Sequence, residues 1–100
     1  MKQYLTPEQT AKLIKMGFRE PIGSWETSDN VYSIGEVLEM LPTVVESEDS
    51  EYATLQIYFD LFNWIIEYTG VEETQYATSA IELLDALYEM LIKLKEEKML

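Results

Sequence analysis

The sequence predicts an α+β fold in which three helices pack on a small antiparallel sheet built around one β-hairpin, in the order α-α-β-β-α. Three observations carry that expectation. Capping-box signatures open three segments whose apolar residues recur at helical spacing. Between the second and third of these segments the apolar period changes to two. A composition that is 47% hydrophobic and 12% aromatic over 100 residues suits one domain, spanning 1–100, around one modest core.

The first helix opens at Thr6-Pro7-Glu8-Gln9, where Thr6 can cap orphan N–H groups and Gln9 can reach back. Proline at the first helical position fits, because its missing N–H has no intrahelical partner there. The helix should run from Pro7 to Met16 and stop at Gly17, which supplies a left-handed residue. Ala11, Leu13, Ile14 and Phe18 would form its apolar side. The second helix opens at Ser33-Ile34-Gly35-Glu36 and is ended by Pro42. Ile34, Val37, Leu38 and Leu41 fall at i, i+3, i+4 and i+7.

The stretch Tyr52-Ala53-Thr54-Leu55-Gln56-Ile57-Tyr58-Phe59 places Ala53, Leu55, Ile57 and Phe59 on one face. Trp64, Ile66 and Tyr68 share a face in the next alternating run. Asp60-Leu61-Phe62-Asn63 links the two runs with a turn former at each end, so the pair reads as a hairpin. Val31–Tyr32 or the region of Trp25 could add a third strand. The third and longest helix should open at Ser79-Ala80-Ile81-Glu82 and reach Glu96. Ile81, Leu84, Leu87, Tyr88, Leu91 and Leu94 make its stripe, which Leu83, Met90 and Ile92 widen. The connections at 19–32, 43–50 and 70–78 read as polar, acidic loops.

The charge is uneven. Nineteen acids face seven bases for a net of −12, and residues 20–92 hold 16 of the acids and no base. Phosphate contacts need clustered Lys and Arg, so neither nucleic acid nor an anionic membrane is an expected partner. The chain has no cysteine and no histidine, which excludes disulfides, Cys/His zinc sites, Cys–His nucleophiles and Ser–His–Asp triads. The start, Met1-Lys2-Gln3-Tyr4, lacks a signal-peptide core, and residue 2 is not a myristoylated glycine. A cytoplasmic protein is expected.

Several of these motifs occur together in a recognisable order. Leu5-Thr6-Pro7-Glu8-Gln9 stands before Leu13 and Gly17. Tyr32-Ser33-Ile34-Gly35-Glu36-Val37-Leu38-Glu39-Met40-Leu41-Pro42 follows, then an aromatic hairpin with Trp64 and Tyr68, then Leu83-Leu84-Asp85-Ala86-Leu87-Tyr88-Glu89-Met90-Leu91. This order resembles a loose group of small proteins carried by phages and integrated mobile elements of gut anaerobes. The resemblance implies a mobile-element accessory protein. The group has no assigned activity, so no functional residue carries over. Its members often hold cysteines and more aromatic loop residues, which this chain lacks.

Few residues point to chemistry. Glu46-Ser47-Glu48-Asp49-Ser50-Glu51 is oxygen-rich but lacks the EF-hand order and its turn glycine, so a solvated loop is expected there and at Glu72-Glu73. Glu36 with Glu39, and Glu82 with Asp85 and Glu89, share helix faces. Di-metal bundles combine such carboxylates with histidine, which is missing, so Glu36 and Glu82 read as capping-box partners. Seven tyrosines and two tryptophans read as core and cross-strand packing. Leu61-Phe62 is less ordinary, since turn tips normally face water. The pair either folds back on the third helix or docks a partner.

Two function classes follow. One is an acidic, non-enzymatic interaction protein for a protein partner, which a basic surface would suit, with mimicry of a nucleic-acid duplex as a special case. The other is a structural homo-oligomer, a weak homodimer through Leu61, Phe62, Leu83 and Met90. The acids Glu46, Glu48, Asp49 and Glu51 complete the candidate interaction surface. A carboxylate-dependent enzyme is a third class, since two acids suffice for some hydrolases. No cofactor or metal is expected.

Overall fold

The computed structural model describes residues 2–22, 30–46, 52–70 and 74–100. Its elements are α1 (Pro7–Lys15), α2 (Ile34–Met40), β1 (Val44–Glu46), β2 (Tyr52–Phe59), β3 (Trp64–Thr69), β4 (Thr74–Ala80) and α3 (Leu83–Glu96). The class is α+β, and among the described residues three helices lie against an antiparallel sheet. That sheet has four strands among the described residues, in the order β1-β2-β3-β4, not one hairpin.

The first two helix starts form as their residues dictate. Thr6 accepts from the Gln9 N–H while the Gln9 side chain accepts from the Thr6 N–H. Ser33 and Glu36 repeat the exchange at α2. Gly17 takes φ 100° just beyond α1, the left-handed value that a side chain would oppose. The inner face of α1 is rotated from the expected one, with Thr10 and Leu13 buried while Ala11 and Ile14 are exposed. Thr10 can be buried because its hydroxyl accepts from the Tyr32 N–H.

The third start differs. Ser79 and Ala80 belong to β4, Ile81 is 78% exposed, and Glu82 is the N-cap without a side-chain cap of its own. The Glu82 carboxylate accepts instead from the Lys2 N–H, a contact across 80 positions that no local motif encodes.

β2 and β3 pair as the expected hairpin, with Leu55 opposite Tyr68, Ile57 opposite Ile66 and Phe59 opposite Trp64. β4 adds Tyr76, Thr78 and Ala80 to the same face, opposite Tyr68, Ile66 and Trp64. These residues are mostly small, which is why the segment reads as a loop. They are small where α3 passes overhead, and the Thr78 hydroxyl donates to the Ala86 carbonyl. β1 contributes only Val44–Glu46, too short for a periodic signal. Val31 and Tyr32 form no strand, although Ser33 makes an isolated bridge to Tyr4. Trp25 lies outside the described residues.

α3 is the central helix, with Leu84, Leu87, Met90, Leu91 and Leu94 fully buried. It packs against β3 and β4 on one side and α2 on another. Gln9 at the start of α1 meets Asp85 at the start of α3, and Lys95 near its end lies 5.3 Å from the Phe18 ring centroid. The two helices therefore run side by side in one direction. The width of the α3 stripe is used up inside the fold.

Candidate functional site

The hairpin turn is a small, well-braced structure. The Asp60 N–H donates to the Asn63 carbonyl at 3.1 Å. The Asp60 carboxylate accepts from the N–H groups of Asn63 at 2.8 Å and Phe62 at 3.1 Å. These donors hold the Asp60 carboxyl below the usual carboxylate range, Asn63 having the larger effect. Leu61 sits within this loop at φ 85°, a value that asparagine or glycine adopts more cheaply.

Leu61 and Phe62 are 83% and 78% exposed, so neither folds back on α3. A leucine in a left-handed conformation gains nothing here from internal packing. Its side chain faces outward from a turn that Asp60 keeps in shape.

The apolar surface continues onto the sheet. Along the inner face of β2, Ala53 is fully buried, Leu55 is half-buried, Ile57 is 38% exposed and Phe59 is 52% exposed. Phe59 leans on Trp64 with ring centroids 5.3 Å apart. The helical layer covers β3 and β4 and leaves this end of β2 open. With large side chains at about 150–250 Å² each, Ile57, Phe59, Leu61 and Phe62 present on the order of 500 Å². The largest apolar patch on a single chain is commonly of this size and is often functional.

β1 pairs only with Tyr52–Thr54 of β2. The Leu55 N–H donates to the Thr43 carbonyl at 2.9 Å, on the β1 side. Backbone direction alternates along a strand, so the N–H and C=O of Ile57 and Phe59 point to that same side. Among the described residues no strand lies beside them.

The remaining candidate residues separate. Met90 is fully buried and Leu83 packs against the core, so the expected dimer surface loses Met90 outright and much of Leu83. The helix is wide because it is covered from several sides. Glu46 is exposed at the end of β1, while Glu48, Asp49 and Glu51 lie outside the described residues, as do Glu72 and Glu73.

The carboxylates on helices hold structure. Glu36 takes part in its capping box, accepts from the Ile22 N–H at 2.9 Å and lies 3.6 Å from Arg19. Asp85 meets the Lys2 ammonium at 2.7 Å and the Gln9 amide at 3.2 Å. Burial alone would raise the Asp85 carboxyl, but these two donors outweigh it and hold the group below its ordinary value. Burial pushes the Tyr68 hydroxyl up, and it donates to the Pro42 carbonyl at 2.6 Å. Among the described residues no group of three or more acids could hold a metal ion. A shallow groove of about 340 Å³ beside Thr78 is lined by Glu89, Ile92, Lys93, Glu96 and Glu97. No helix among the described residues is long and apolar enough to cross a membrane.

The sequence points to Leu61 and Phe62, and the structure joins Ile57 and Phe59 to them. Only the extent of helical cover marks those two, and no local pattern reports it. Comparison with family models, curated proteins and solved structures finds no match to this chain.

Proposed function

We propose that the protein is a non-enzymatic, acidic interaction module that engages a protein partner through the open end of its hairpin. The exposed Leu61–Phe62 pair on a braced turn carries this reading. Two adjacent large apolar side chains held out on a braced turn can serve as the apolar centre of an interface. The acid-only stretch of 20–92 favours a partner with basic residues at its rim. An accessory role in a mobile element is the setting that the resemblance implies. The homodimer is disfavoured, because each copy carries a charge of −12.

Site-specific photo-crosslinking in the native host tests this reading. A benzoylphenylalanine in place of Phe62 should give a discrete adduct with one other protein. The same probe in place of Glu97, exposed at the C-terminal end of α3, should not. Identical adduct patterns from the two positions, or none from either, would sink the proposal.

A further inference from the structure

We infer that the edge of β2 at Ile57 and Phe59 accepts an added β-strand from the partner, an extended segment with apolar residues at alternate positions and lysine or arginine between them. This inference rests on the interaction reading above and specifies how the contact is made.

The backbone supplies the first reason. β1 already occupies this side of β2 as far as Thr54, and the Leu55 N–H reaches Thr43. Beyond that point the N–H and C=O of Ile57 and Phe59 continue the same row without a strand beside them among the described residues. A strand laid there extends the line of β1 and finds up to four main-chain hydrogen bonds. Strand addition to an exposed edge is a recurrent mode of peptide recognition.

The side chains supply the second. Residues of the added strand directly opposite Ile57 and Phe59 would make those hydrogen bonds and also project onto the inner face. There they would cover the open ends of Ile57 and Phe59, with Leu61 and Phe62 closing the tip. Both demands fall on the same alternate positions, which must therefore be apolar. The intervening residues face the outer side, beside Tyr58 and the Glu67 carboxylate that its hydroxyl donates to at 2.7 Å. Glu46 lies on that outer side too, from its pairing with Tyr52, and Asp60 stands at the end of the strand. Residues 20–92 offer no base to balance these acids, so lysine or arginine belongs at the intervening positions. A second copy would bring its own acids to the same place.

Synthetic peptides test the inference. The probe is a nine-residue alternating lysine–valine peptide. Its controls are the glutamate–valine counterpart and the lysine–valine peptide N-methylated at its valines. The lysine–valine peptide should bind saturably and slow hydrogen exchange of the Ile57 and Phe59 amides at least tenfold. N-methylation should weaken binding at least tenfold, since it removes the donors facing β2. In the protein, Phe62→Ala should weaken binding severalfold with the melting temperature unchanged.

Binding that leaves the Ile57 and Phe59 amides unprotected, or that survives N-methylation, overturns the strand addition. Equal binding of the glutamate peptide overturns the basic character of the partner. Protection of the same amides by self-association in the absence of peptide overturns the foreign partner. A Phe62 photo-adduct obtained despite any of these results leaves the broader interaction reading intact.

Discussion

Two neighbouring strands of one sheet face make an instructive contrast. Ile57 and Ile66 stand directly opposite each other on neighbouring strands, share the inner face and carry identical side chains. Ile66 is fully buried under α3, whereas Ile57 is 38% exposed beyond the helical layer. Alternation along a strand decides which face is apolar. It does not decide how far along that face the helices reach. The covered part is a core and the uncovered part is a surface, although their residues follow one pattern.

Substitution of the two isoleucines should expose this difference most strongly. Ile66→Ala removes packing from a closed site and should cost about 2–5 kcal/mol. Ile57→Ala leaves no cavity and should cost less than about 1 kcal/mol. Equal losses by chemical denaturation would show that the open end is as well packed as the core.

The turn offers a second way to sharpen the contrast. Leu61 holds φ 85° without compensating contacts, so Leu61→Gly should stabilise the protein by up to about 1 kcal/mol. A stabilised variant that binds its partner less well would separate the two roles of the tip. Loss of stability would show that the leucine packs within the chain.

The smallest expected effect lies at the covered end of the molecule, at Asp85. Its carboxyl is held below its unfolded value, so the stabilisation it gives is complete above about pH 4 and fades as the pH falls through the folded value. Asp85→Asn should cost about 0.2–1 kcal/mol at pH 7, as befits a partly exposed pair. The difference from the parent should shrink as the pH falls through the lowered folded value, and thermal melts across pH 2–7 would detect its persistence.

The sequence is most informative where a feature depends on a few neighbouring residues. Thr6 with Gln9 and Ser33 with Glu36 cap their helices as read, because three residues contain the whole motif. The hairpin is legible for the same reason, since four linking residues with a turn former at each end join its strands. Glu82 misleads because its partner is Lys2, far away along the chain. β4 is hidden because Thr78 and Ala80 are chosen for closeness to α3, not for bulk. Met90 looks surplus until the neighbours of α3 on every side are known. In the candidate site Leu61 and Phe62 stand out as large apolar residues in a turn, while Ile57 and Phe59 look like ordinary core.

The ion pair of Lys2 with Asp85 has a kinetic meaning as well. It joins residues 83 positions apart, so almost the entire chain must be ordered before it can close. Loop-closure entropy places such a contact late in folding, after the hairpin and its neighbouring strands. The same contact should be among the first to release, carrying with it the bonds from the Leu5 N–H to Tyr32 and from the Ile34 N–H to Gln3. Native-state hydrogen exchange should therefore open Leu5 and Ile34 well before the Ile66 amide, by a partial unfolding that peels the first strand-like segment away and leaves the hairpin standing. Simultaneous exchange of all three would instead mean that the molecule has a single cooperative unit.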